Sequence, residues 1–421
     1  MTAAVQPSPL ESDPAARETA LGVVALAATL LFAHGQTTER TVVAAERLGS
    51  ALGLPARVLP DWDKLTVELE GTSLSRIVAT KPLGVDMNRV LAITTVVDRL
   101  CDGMLSIEEA RAALLLAGSL PPISTLQFAL FAAIGAASLG VIFGALDSTS
   151  LVLIGTSAAL GALVRRRLSI FSNPFVQPLC AALIASIIAA ISTVSLREPI
   201  ATALVAFCPS MVLVPGPHLL NGAIDLVRTR TALGIARLTY AGTIVLMICF
   251  GLLLGFTVSG PIQAARPSLP VPLLADVVAA GCAVASFGTL FSMPWRMLPL
   301  PVAAGMIGHA ARWSLISLAG ANVATGALVA CVLVSVIVTP VVDRFHLPFA
   351  ALGFSAVVSM IPGFFLFEAA RALVELVSLG PHAPTVLLTN IAANGATAFL
   401  VILAMTFGLI LPRIILEDRS Q

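Results

Sequence analysis

Leu213-Val214-Pro215-Gly216-Pro217-His218 and, 147 positions later, Met360-Ile361-Pro362-Gly363-Phe364-Phe365 are two apolar stretches, each interrupted by a Pro-Gly pair. Proline removes a backbone donor and clashes with the preceding turn, and glycine permits a conformation other residues avoid. In hydrocarbon, an interrupted helix survives only where protein or a watery cavity receives the freed backbone groups. Two breaks at equivalent places in two halves of a chain therefore point to a binding site near the membrane midplane. A pair of proline-kinked helices with no ligand is the plainer reading of the same residues.

Outward from these breaks, apolar runs give ten candidate spans. The first five are Leu126–Ala145, Thr149–Val164, Phe175–Ser195, Pro199–Val214 and Ala232–Val258. The second five are Pro272–Ser292, Met297–Ala311, Asn322–Thr339, Leu347–Ile361 and Thr385–Leu411. Several are shorter than the roughly 20 residues a full crossing needs. The offset of 147 that relates the breaks also carries Leu126 to Leu273, Phe175 to Asn322 and Ala232 to Leu379. A shared offset marks an internal repeat. Five is odd, so the second half must enter the bilayer from the opposite side. The expected fold is an all-α polytopic membrane protein of about ten transmembrane helices in a 5+5 inverted repeat. Such repeats open a central site to alternate sides by exchanging the conformations of two similar halves.

Composition agrees. Of 421 residues, 57% are apolar and 11% charged, and the mean hydropathy is +0.98. A soluble domain has about 45–50% apolar and about 25% charged residues. The net charge of +1 gives no electrostatic case for nucleic acid. Residues 1–125 hold 24 of the 47 charged residues, so a polar head ends near Pro121-Pro122. Three domains follow: a cytoplasmic N-terminal α+β domain over 1–120, a first five-helix repeat over 121–260 and a second over 270–412. In the head, helices are expected over Arg17–His34, Gln36–Gly53, Asn88–Cys101 and Ser106–Ala117. Ser106 and Glu109 form a capping box in the last of these. Strands are expected over Ala56–Leu59, Lys64–Glu70 and Leu74–Thr80. The 13-residue run Leu21–Ala33 is short for a span and reads as the buried face of a head helix.

The first 18 residues lack the basic start of a secretory signal. Placing the head inside puts ten arginines on inner loops and ends (165, 166, 167, 228, 230, 237, 296, 344, 413 and 419) and four outside (197, 266, 312 and 371). The excess predicts cytoplasmic N- and C-termini in the cytoplasmic, or inner, membrane. The six cysteines show no metal-ligand spacing, and five fall in apolar runs, as buried reduced thiols do. Gly140–Gly144 and Gly251–Gly255 have the spacing of closely packed helices.

The polar residues beside the breaks are the site candidates. Pro215, Gly216, His218, Asn221 and Asp225 belong to the first, and Pro362, Gly363, Glu368 and Arg371 to the second. Asn221 and Asp225, four apart, share a helical face, and Glu368 takes Asn221's place in the second half. Glu368 and Arg371, three apart, can neutralise each other. Ionisable groups inside a bundle are expensive and usually face a cavity or a partner. The plainer reading makes both segments interfacial helices with solvated charges. His309 and Asp276 are secondary candidates, while Arg312, which the offset matches to Arg165, reads as a span-end arginine reaching for the interface. No metal site and no cofactor are expected. There is no glycine-rich phosphate loop, and the histidines at 34, 218, 309, 346 and 382 are too scattered for a metal enzyme.

Leu213-Val214-Pro215-Gly216, followed by Asn221, Asp225-Leu226, Gly234 and Arg237-Leu238, resembles the threonine/serine exporter family. So does the layout, a head ending in Ser106-Ile107-Glu108-Glu109-Ala110, early spans, and a C-terminal five-span module near 272–411 with its own Pro-Gly. The resemblance implies a secondary active transporter that exports a small polar amino acid by alternating access, driven by an ion gradient, and not an enzyme. A related split pair implies the alternative of a dicarboxylate such as succinate. Pro217-His218 and Phe364-Phe365 depart from the family pattern, and these positions bear on the cargo. The partners expected are an amino acid and the lipid bilayer. A proton as coupling ion and a homo-oligomer both remain open. A membrane-embedded enzyme, a lipid-handling protein and a channel are the competing classes.

Overall fold

The computed structural model describes residues 14–169, 173–192, 199–259, 271–344, 347 and 349–418. Arg197, Arg266, His346 and Arg419 lie outside the described residues. The head comprises helices α1 (Pro14–Ala33) and α2 (Thr38–Ala51), strands β1 (Ala56–Pro60), β2 (Lys64–Leu69) and β3 (Ser75–Ala79), and helices α3 (Met87–Cys101) and α4 (Ile107–Gly118). The strands form one antiparallel sheet in the order β1-β2-β3, with Ala56 opposite Leu69 and Lys64 opposite Ala79. Alternation along β2 buries Leu65, Val67 and Leu69. Thr37 caps α2, and Ser106 and Glu109 make the capping box of α4. Helix α1 has 20 residues, longer than its apolar run, and is apolar enough to cross a membrane. It packs against β2, β3 and the other three head helices, which bury Leu21, Val24, Leu31 and Phe32.

Twelve helices follow. The first six are α5 (Thr125–Ile142), α6 (Ser148–Leu168), α7 (Val176–Ser192), α8 (Pro199–Met211), α9 (Gly216–Val227) and α10 (Thr231–Ser259). The last six are α11 (Leu273–Leu290), α12 (Pro299–Ser317), α13 (Val323–Arg344), α14 (Phe349–Val357), α15 (Gly363–Leu379) and α16 (Val386–Asp418). Among the described residues, seven helices are long and apolar enough to cross a membrane, α1 included. The number rises to nine if each bent pair counts as one span. Those pairs are α8 with α9, bent by 56°, and α14 with its 3-10 turn Val358–Met360 and α15, bent by 44°. Helix α7, at 17 residues, is apolar but shorter. The protein is a mainly helical, multi-pass membrane protein.

The packing partners of one set of six recur in the other. Helix α7 lies against α10 as α13 lies against α16, and α6 joins α5 to α7 as α12 joins α11 to α13. Across the sets, α9 meets α16 and α14, while α15 meets α10 and α8; α5 and α11 pack on each other. Small residues permit the tight crossings. A Cβ at Gly255 would overlap Ser186 of α7, and one at Gly408 would come within 2.7 Å of Cys331 Cβ on α13. Gly140 packs on Ile154, but Gly144 has φ +101°, and a Cβ there would meet no described atom within 4 Å. It ends α5 in a turn, so the Gly140–Gly144 spacing is not the packing face expected of it.

Candidate functional site

Each break ends one helix and starts another. Pro215 and Pro362 stand immediately before α9 and α15, where their missing N–H matters least. The following glycines let the two breaks touch. A Cβ at Gly216 would overlap Ile361 Cδ1, the residue just ahead of Pro362. A Cβ at Gly363 would come within 2.8 Å of Met211 Cγ, at the end of α8. Each glycine thus accepts an apolar side chain from the other break. Phe364 completes the seam, stacked on Phe143 (centroids 5.0 Å apart) and edge-on to Phe207 at 5.9 Å.

Beside the first break lies a cavity of about 330 Å³, lined by Val212 to Pro215, Pro217, His218, Arg165, Gln177 and Tyr240, with Leu83 and Val85 of the head on one side. His218 is buried, stands edge-on to Tyr240 at 5.0 Å, and its Nδ1 has no hydrogen-bond partner among the described residues. One turn on, Asn221 is buried, and its Oδ1 has no partner among the described residues either. Two buried polar groups left open at a helix break cost stability unless something fills them.

Asp225 has a different setting. It is not part of the cavity lining; its Oδ2 lies 3.0 Å from Arg237 Nε and accepts a hydrogen bond from Thr38 Oγ1 at 3.0 Å. All three side chains are buried, and Arg237 also lies 5.3 Å from the Phe32 ring centroid. Thr38, Glu39 and Arg40 open helix α2, so this is the seam between head and membrane body. There Glu39 pairs with Arg230 at 2.7 Å and Arg228 at 3.0 Å, and Arg40 pairs with Asp343 at the end of α13. Burial pushes the Glu39 carboxyl up, but hydrogen bonds and charge from Arg230 and Arg228 outweigh it, leaving the group below the ordinary glutamate range.

In the other set of helices, Glu368 and Arg371 are buried and pair at 3.2 Å, and Arg371 also holds Glu375 at 2.7 Å. His309, which is fully buried, sits between Asp276 (Nδ1 to Oδ2, 3.0 Å) and Ser359 (Nε2 to Oγ, 2.8 Å). Ser359 belongs to the 3-10 turn that leads into Ile361-Pro362. The secondary candidates therefore form a connected chain of polar groups ending at the second break. Sequence reasoning missed Ser359, Thr38 and Tyr240 and gave Arg237 no ionic role. Only Ser359 had a signal, a hydroxyl three residues ahead of the break proline. Among the described residues, no group of three or more His, Cys, Asp or Glu side chains is placed to hold a metal ion.

Two family models match the chain. That of the "Putative threonine/serine exporter" family covers residues 22–259, and that described as "Threonine/Serine exporter, ThrE" covers residues 276–415. No curated protein and no solved structure gives a match. The matches span the head seam, both Pro-Gly breaks and the buried His309 chain, and the protein belongs to the threonine/serine exporter family, a family of membrane transporters.

Proposed function

We propose that the protein exports a small polar amino acid, threonine or serine, across the cytoplasmic membrane by alternating access. In this reading each set of helices is a five-span repeat, with each bent pair counted as one span. The second repeat is inverted, and both chain ends lie in the cytoplasm with the head. The observation that carries it is the reciprocal contact of the breaks, Gly216 on Ile361 and Gly363 on Met211. Equivalent parts of two halves meet there, and the neighbouring contacts are exchanged in the same sense, α9 with α16 and α15 with α10. That arrangement lets the halves swap conformations about a common centre. The breaks supply backbone acceptors and donors off any helix, and a polar cavity adjoins one of them.

An ion gradient drives the export, and the coupling proton is carried by the Asp276–His309–Ser359 chain. A buried imidazole held between a carboxylate and a hydroxyl can take up and pass on a proton without leaving a bare charge in the bilayer. Purified protein in liposomes tests both parts. Labelled serine should show saturable counterflow, and an imposed pH gradient should drive its accumulation. His309→Asn should retain counterflow and lose the pH-driven component. Absence of counterflow in the wild type would sink the exporter reading; an unaltered pH response in His309→Asn would sink only the proton assignment.

A further inference from the structure

The basic residue facing the cavity at the first break is Arg165, in the last turn of α6. Its guanidinium lies 5.4 Å from the Phe128 ring centroid, its Nε is buried without a hydrogen-bond partner, and no carboxylate pairs with it among the described residues. The described residues lining the 330 Å³ cavity include no acid. A smaller cavity of about 220 Å³ shares Val85, Phe128, Arg165, Gln177 and Leu290 with it and continues toward the head. The acid there, Asp86, caps α3 and lies 3.4 Å from Arg89, so it is engaged elsewhere. A half-buried cation on an aromatic face, its Nε shut off from solvent and its cavity offering no counter-charge among the described residues, favours the entry of an anion.

The other half of the molecule shows what is missing. The offset of 147 carries Arg165 to Arg312 and Ala129 to Asp276. In the second half Asp276 is a buried carboxylate, paired with His309 Nδ1 at 3.0 Å. In the first half the carboxylate's place is taken by the buried methyl group of Ala129, beside Phe128. One half carries its own buried carboxylate at this position, and the other has none there.

We propose that Arg165 binds the carboxylate of the cargo, so that the cargo brings to the first half the carboxylate that Asp276 supplies at the matching position of the second. This inference rests on the exporter reading and adds the recognition group. The guanidinium fork matches a carboxylate in two parallel hydrogen bonds. The non-helical carbonyls of Val212 and Leu213 are then the acceptors available to the ammonium, and the open Nδ1 of His218 suits a hydroxyl. A cavity of this volume holds a three- or four-carbon amino acid with a few waters.

The test uses the full chain, purified in detergent, with binding of labelled L-serine competed by unlabelled L-serine, L-serine amide, ethanolamine or succinate. Expected for the wild type is at least a tenfold preference for L-serine over the amide and ethanolamine, both of which lack the carboxylate. Arg165→Gln should lose that preference, and Arg165→Lys should keep part of it. Ala129→Asp should weaken serine binding by supplying an internal carboxylate, and pairing it with Arg165→Gln should not weaken it further. Melting temperatures show which variants are folded. Wild-type selectivity in folded Arg165→Gln, or a wild type that binds the amide as well as serine, overturns the assignment. If serine counterflow in liposomes persists in that case, the exporter reading stands without it. Stronger competition by succinate than by serine keeps Arg165 as the carboxylate group and overturns the amino-acid cargo.

Discussion

Asp225 and Arg237 bear on each other so closely that neither is replaced cheaply. Both are about 1% exposed, and their charges are satisfied by each other and by Thr38. Breaking a buried pair from one side leaves an uncompensated charge and costs about 3–5 kcal/mol. Asp225→Asn is therefore expected to lower the melting temperature of the purified protein substantially. Thr38→Ala, which removes one hydrogen bond to the carboxylate, should cost about 1–2 kcal/mol. Thermal unfolding in detergent, followed by tryptophan fluorescence, reads both. A melting curve for Asp225→Asn that overlays the wild type, with transport reduced, would return Asp225 to the pathway. The sequence placed Asn221 and Asp225 on one helical face, and α9 does carry both buried. It did not show which neighbour that helix meets at each turn. Arg237 lies twelve positions from Asp225, beyond any local spacing rule. Their contact depends on how α10 folds back over α9 and on where the head docks.

Element boundaries were far more legible than these partners, because local chemistry sets them. The capping box of α4, the alternation along β2 and the interruptions at Pro215-Gly216 and Pro362-Gly363 all act within four residues of themselves. What the Pro-Gly pairs do for each other is a long-range matter. Pattern alone identified two interrupted helices, whereas only the packing shows that each glycine receives a side chain from the opposite break. This gives a prediction at the level of the broken helices. Gly216→Ala must displace Ile361, and Gly363→Ala must displace Met211, separating the breaks where they meet. Either variant should fold, since each site meets side-chain atoms rather than backbone, the terminal Cδ1 of Ile361 at Gly216 and the Cγ of the flexible Met211 at Gly363. Counterflow should fall at least tenfold in each. Shortening the opposing side chain, as in Gly216→Ala with Ile361→Val, should recover part of it. Unchanged rates in both single variants would mean that the junction does not move during transport.

At the scale of the whole molecule, the first turn of α2 ties the head to both sets of membrane helices at once. Glu39 holds Arg228 and Arg230 between α9 and α10, while the adjacent Arg40 holds Asp343 at the end of α13. The backbone adds Met87 N–H to the Phe291 carbonyl at 2.8 Å, and Trp62 meets Tyr240 with centroids 5.4 Å apart. Leu83 and Val85 of the same head line the cavity that holds Arg165 and His218. If the two halves move against each other, these ties must stretch or release, so the head senses the conformation of the body. Arg40 and Asp343 are partly exposed, and such a pair contributes only about 0.2–1 kcal/mol. Arg40→Asp adds repulsion to that loss, and hydrogen exchange at the start of α2 should quicken about fivefold, an order-of-magnitude figure from the same range of pair energies. Asp343→Arg should do likewise, and the double swap should restore most of the protection. Raising salt should loosen the tie, since exposed charges are screened within about 8 Å at physiological ionic strength. Acid should loosen it as well. The Glu39 carboxyl is held below its ordinary value in the docked state, so its contribution is complete above that value and fades as pH falls through the depressed one. Protection of α2 that does not change with salt, acid and both single reversals would show that the head is held by its apolar contacts alone. In that case movement of the halves would have to carry the head as a fixed part of one of them.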